Sequence, residues 1–250
     1  MRTSIVIAVF VLLVTGAFGG PAYADLISGV TFTVNGISAS DNTSQQAATA
    51  TFKLDANIPD TLDVTLQNDA ASIKSIASTL TGIIFNLDSV VVFGTPIGVT
   101  FNAANGGLNF YDCTSGGVCT QTNTFNEYDG QGNATPVSAP YGWGVAGQYR
   151  LSPGDGSGLK PAEIVNDNIQ AVGSIVTNPH NDFLRGPVTF AIPFTFTGAA
   201  PTQVTSATFL FGTGTDTQTP GGNVPEPAGI FLVGTALLGL GWKFRRRVNL

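Results

Sequence analysis

Apolar residues recur at every second position along the middle of this chain, and that period constrains the fold more than any other feature. Val30, Phe32 and Val34 alternate with threonine, and Leu62, Val64 and Leu66 alternate with polar residues. Val188, Phe190 and Ile192 repeat the pattern and carry it past Pro193 to Phe194 and Phe196. A period of two gives a strand one apolar face, whereas a helix needs a period near 3.6. Val204, Ala207, Phe209 and Phe211 predict another strand whose phase slips near Ser206. Further strands are expected at 50–54, 82–87, 90–93, 97–101, 143–151 and 169–176, with Gly, Asn and Asp between the runs. Many short strands without alternating long helices predict a mainly β fold. The expected form is a single antiparallel β-sandwich or jelly-roll-like domain over 25–212. One stretch departs from the pattern. In 69–80, Ile73, Ile76, Ala77 and Leu80 are spaced for a short amphipathic helix or helical turn, with Asp69 as its cap. It is expected to pack over one end of the domain.

The charge distribution narrows the function. Only 10% of residues are charged, against a usual quarter. Five of the ten basic residues lie near the two ends, and the segment between keeps five against all 16 acidic residues, a net of −11. Such a surface argues against nucleic acid and against a basic lipid-binding patch.

The ends read as addresses. Arg2 precedes a ten-residue apolar run over 5–14, too short for a stable anchor, and Gly16, Gly19, Gly20 and Pro21 break it. Ala22 and Ala24 then place small residues where signal peptidase requires them, so 1–24 is expected to be a signal peptide, with export through the Sec translocon and cleavage before Asp25. Residues 213–223 are a Thr/Gly/Pro-rich linker in this reading. The tail 224–250 has three parts. Pro225-Glu226-Pro227 is stiff and non-helical. Residues 228–242 are uncharged and apolar, and as a helix would reach about 22 Å, short of a hydrocarbon core of about 30 Å. Lys243, Arg245, Arg246 and Arg247 follow and are expected to stay cytoplasmic. The reading is a short transmembrane helix with a basic stop.

This three-part tail resembles the PEP-CTERM sorting signal of Gram-negative bacteria. The resemblance implies an exosortase as partner, cutting near the PEP motif. The precursor would sit in the inner membrane with its body periplasmic, and the mature form at the surface or in the extracellular matrix. Parts of 178–212 are similar to bodies of exosortase-dependent surface proteins, which implies no catalytic residues. A plain membrane anchor is the alternative that the apolar run alone leaves open.

Few side chains suggest chemistry. Cys113 and Cys119 flank a Gly-rich turn and, in an exported chain, read as a local disulfide, worth about 2 kcal/mol for so small a loop. Their spacing does not suit zinc, and no metal or cofactor is expected. His180, the only histidine, follows Asn178-Pro179 and reads as a turn residue, with no nucleophile elbow in the sequence. A glycosidase would have to draw its carboxylate pair from Glu127, Asp129 and Glu163, with two of them about 5–9.5 Å apart. The loop-rich region 102–158 also holds Asn126, Asn133 and Asp155, a poor match to calcium-loop spacing. Glu127, Asp129, Tyr141 and Trp143 form a candidate sugar-binding loop set, against the commoner fate of aromatics in a β core. The leading expectation is a non-enzymatic structural or interaction protein of the surface, matrix or biofilm. The alternatives are a carbohydrate-binding module with extracellular polysaccharide as partner, and a secreted hydrolase.

Overall fold

The computed structural model describes residues 26, 29–113, 118–128, 134–146, 149–153, 163–177, 182–212 and 216–220. All lie in one compact unit, Asp25–Val224. The expected signal peptide, the PEP motif, the apolar run and the basic cluster fall outside the described residues.

The protein is mainly β. The first strands are β1 (Val30–Ile37), β2 (Gln45–Leu54), β3 (Thr61–Asn68), β4 (Leu80–Leu87), β5 (Val91–Phe93) and β6 (Gly98–Phe101). Short strands follow: β7 (Phe110–Asp112), β8 (Thr120–Thr122), β9 (Asn126–Tyr128), β10 (Ala134–Pro136), β11 (Trp143–Ala146) and β12 (Arg150–Pro153). The last are β13 (Ile164–Val165), β14 (Asp182–Arg185), β15 (Val188–Phe196), β16 (Val204–Phe211) and β17 (Asp216–Gln218).

One sheet runs β1-β2-β3-β15, with β6 and β5 sharing the outer edge of β15. The other is centred on β4. On one side β4 pairs with β16, which holds β17; on the other it meets β12 and β13, and the sheet continues through β14, β7 and β8. β9 and β10 form a separate ribbon. Pairing is antiparallel except between β13 and β14, which run parallel, and at an isolated parallel bridge between Ile73 and Ile169.

The alternation read from sequence places the core. Val30, Phe32 and Val34 point inward from β1, and Val188, Phe190, Ile192 and Phe194 from β15. Pro193 interrupts no ladder, because β6 ends opposite Ala191 and β5 begins opposite Phe194. Aromatic rings join the sheets: Phe52 of β2 lies 4.9 Å from Phe85 of β4, and Trp143 of β11 stacks on Phe190 of β15 at 4.6 Å. The phase slip expected near Ser206 is a bulge between Val204 and Ser206 in the β16–β4 ladder.

Other expectations need correction. β2 begins five residues earlier than its β-branched run, because pairing with β1 and β3 carries the small buried Ala47 and Ala48 into the strand. Residues 143–151 are not one strand but a hairpin, with Val145 opposite Leu151. Residues 169–176 are not a strand: beyond the Ile169 bridge, Gly173 takes a left-handed φ of 57° and Ser174–Thr177 form one helical turn. Within 69–80 only Ile76–Ser78 is helical, as a 3-10 turn capped by Ser75 rather than Asp69. Ile73 and Ile76 are still buried there, in a second apolar cluster with Tyr111, Cys113, Ile175 and Phe183. Residues 216–218, expected as linker, are strand β17. Among the described residues no helix is long and apolar enough to cross a membrane.

Candidate functional site

A polar cleft of about 570 Å³ opens where the end of β3, the turn after β6, the segment after β13 and the end of β14 come together. Three Asn-rich turns build it. Asn68 accepts from the Ala70 amide at 3.0 Å and donates to the carbonyls of Ser78 and Ile164 at 2.8 and 3.2 Å. Asn166 accepts from the Asn168 amide at 2.8 Å and donates to the carbonyls of Asn68 and Ala70, both at 2.9 Å. Both amides are thereby committed to backbone and act as scaffold. Asn102 caps the 3-10 turn Ala103–Asn105, accepting from the Ala104 amide at 3.0 Å. Gly106 ends that turn at a φ of 61°, a conformation that suits glycine. At Gly186 a Cβ would lie 3.1 Å from Ile164 Cγ2 and 3.3 Å from the Val165 carbonyl, so the backbones approach closely there.

One ion pair sits in the wall. Arg185 donates twice to Asp167, from Nε at 2.6 Å and from Nη2 at 2.7 Å, and its Nη1 reaches the Leu108 carbonyl at 3.2 Å. Its guanidinium lies 5.9 Å from the Tyr111 ring centroid, and the Tyr111 hydroxyl donates to Asp167 at 2.7 Å. Arg185 thus holds the Asp167 carboxyl below the usual carboxylate range, while burial raises the Tyr111 phenol. The remaining capacity belongs to side chains at the opening. Gln67 is exposed with no side-chain hydrogen bond among the described residues, and Asn102 Nδ2 is likewise uncommitted. Asn105 is buried in the wall with its Nδ2 unpaired.

The sequence had pointed to other residues. Trp143 is 2% exposed and stacked in the core, so it offers no face to a sugar. Tyr141 is half-buried at a φ of 55°, its ring 5.1 Å from Phe110 and 5.4 Å from Phe125, and burial raises its phenol. Glu127 lies in β9 opposite Thr135. Asp129, Asn133, Asp155 and His180 lie outside the described residues. Glu163 is enclosed, with Thr79 as its partner, and burial pushes it up to about 8; it has no route to a substrate. Cys113 and Cys119 are bridged, with Cys113 buried in the second cluster. Among the described residues no three His, Cys, Asp or Glu side chains gather as a metal site. The cleft itself was missed. Its signal was the Asn/Asp runs Gln67-Asn68-Asp69 and Asn166-Asp167-Asn168, each directly after an apolar strand.

A folded β body followed by a C-terminal address defines a sorted protein. The address is the PEP-CTERM protein-sorting motif, which matches residues 223–247. The chain is therefore consistent with an exosortase-dependent PEP-CTERM protein, with export, a membrane-anchored precursor and an exosortase as processing partner. No curated protein and no solved structure matches the chain.

Proposed function

We propose that this protein is a non-enzymatic structural or interaction module of the cell surface or extracellular matrix. Its two packed sheets form a β-sandwich of jelly-roll kind, released or transferred after exosortase cleavage. The sorting motif at 223–247 is the observation that carries this reading. The charge-poor acidic body adds support. In this scheme residues 1–24 are removed as a signal peptide, the body is periplasmic in the precursor, and 228–242 cross the inner membrane with the basic cluster inside.

The physical logic of the tail is accessibility. Two prolines keep residues 225–227 out of a helix, where peptide groups would be hidden in intrahelical bonds. A membrane-embedded enzyme can then reach that backbone just outside the apolar span, while Lys243 and Arg245 to Arg247 hold the register. Replacing Pro225-Glu226-Pro227 by three alanines is expected to leave a full-length, membrane-retained precursor with a folded body. Mass spectrometry of the wild type should find a chain that begins at Asp25 and ends near Pro225. Processing of the triple-alanine chain at the wild-type position and yield would overturn the sorting reading in favour of another protease.

A further inference from the structure

We propose that the amide-lined cleft is a binding site for a neutral, hydroxyl-rich ligand, a segment of uncharged polysaccharide. The proposal deepens the interaction role above and does not depend on where the tail is cut.

The chemistry of the wall selects the ligand class. Asn68 and Asn166 each spend both Nδ2 hydrogens and one Oδ1 lone pair on backbone groups, which fixes the shape of the site before anything binds. The uncommitted groups are neutral and of both kinds. Asn102 Nδ2 offers donors while its Oδ1 holds the turn; Gln67 offers a donor and an acceptor; Asn168 keeps its Oδ1 beyond one long bond from Nδ2 to the Ala70 carbonyl at 3.3 Å. Sugar hydroxyls donate and accept at once, so mixed amides match them where a row of cations or carboxylates would not. Asn105 stands in the same wall, its buried Nδ2 without a hydrogen-bond partner.

Charge excludes the competing classes. Among the described residues Arg185 is the one cation lining the cleft, and its side chain is only 12% exposed, held by both Asp167 oxygens. Asp69 adds a negative charge, with one oxygen taken by the Thr49 hydroxyl at 2.6 Å. The lining therefore carries a net negative charge, which disfavours phosphate and uronate polymers. The volume of about 570 Å³ lies within the range of small-molecule sites, enough for a few sugar units rather than a whole chain.

The test is native electrophoresis of the full chain, held in a detergent without a sugar headgroup. Gels are cast with dextran, galactomannan or xylan, and with alginate as the anionic comparison. Retardation is expected in at least one neutral gel and not in alginate. The double variant Gln67→Ala/Asn102→Asp removes the side-chain donors of Gln67 and Asn102 while the carboxylate introduced at position 102 still accepts from the Ala104 amide, and it should weaken retardation at least tenfold. Gln67→Ala alone changes an exposed side chain, leaves the fold intact and should weaken it about threefold. Migration unaffected by all three neutral polymers, stronger retardation by alginate, or full retardation of both variants would each overturn the proposal. Because the readout is binding by the folded body, its failure leaves the sorting experiment untouched.

Discussion

At the scale of single residues, the clearest inference comes from counting hydrogens. The Thr79 hydroxyl oxygen lies 2.7 Å from the Ile76 carbonyl and 2.6 Å from Glu163 Oε2. A hydroxyl carries one hydrogen and a carbonyl only accepts, so Thr79 gives its hydrogen to Ile76 and Glu163 supplies the other. Glu163 is therefore a neutral carboxylic acid in the folded protein, in line with burial pushing it up to about 8. Burial also raises Asp182 to about 7, with Asp112 opposite it across the β14–β7 pair adding to the rise. The sign follows from linkage. A carboxyl raised on folding stabilises below its unfolded value near 4 and loses that contribution as pH climbs through its folded value. Asp41, lowered to about 2 chiefly by the Ser44 hydroxyl, acts oppositely, and its contribution is lost on acidification. Stability is thus expected to peak between about pH 4 and 5 and to fall from there to pH 8.5, read as the denaturant midpoint. Glu163→Gln keeps a neutral donor to Thr79. It should match the wild type near pH 4 and exceed it increasingly up to pH 8.5; a variant with the wild-type slope over that range would remove Glu163 as the source.

Among the elements, β4 is the strand on which the second sheet depends, and Gly82 is its tightest point. A Cβ there would lie 2.7 Å from the Leu151 carbonyl and 2.9 Å from Ser152 Cβ, both in β12. Gly82→Ala should push the β11–β12 hairpin off β4 and destabilise by about 1–3 kcal/mol, measured by chemical denaturation. A neutral substitution would mean that the hairpin moves freely. The same hairpin shows where sequence reading stops. Trp143, Val145, Tyr149 and Leu151 keep a period of two straight through the turn, so alternation gave no sign that the chain reverses. The β16 bulge was legible for the opposite reason, because a bulge shifts the alternation by one residue and leaves Thr205 and Ser206 both exposed. The 69–80 spacing located buried residues correctly yet overstated the helix, since Ile73 bonds across the chain to residues 168 and 170 instead of along a helix. The cleft was illegible because its walls come from four segments far apart in sequence. Only their Asn/Asp runs were visible, and such runs usually mean turns.

For the molecule as a whole, the boundary between folded body and address lies later than composition suggests. Residues 213–223 have the makeup of a flexible tether, yet β17 pairs with β16 through Phe209, Leu210 and Phe211. Side chains fasten it to the other sheet as well. Asp216 Oδ2 accepts from the hydroxyls of Ser38 and Ser40 and from Gln46 Nε2, which holds its carboxyl low, the Ser38 bond first among the causes. Gln218 Nε2 donates to Gln46 Oε1 at 2.9 Å. The last strand thus ties the two sheets together, and six residues separate it from Pro225. A cut near Pro225 leaves all of these bonds in place, so the processed chain should melt at the same temperature as the body of the precursor. A chain ending at residue 215 loses the β17 ladder and the Asp216 bonds, and leaves Gln46 buried with its Nε2 bonded only to the Ala77 carbonyl. Its melting temperature should fall by several degrees, about 1–2 kcal/mol in a body of this size. Asp216→Asn in the full chain should reproduce part of that loss, because the amide accepts with one oxygen and brings a donor toward Gln46 Nε2. Equal melting of the chain ending at 215 and the chain ending at 224 would show that β17 adds nothing to the fold and that the tether begins at Gly212 after all.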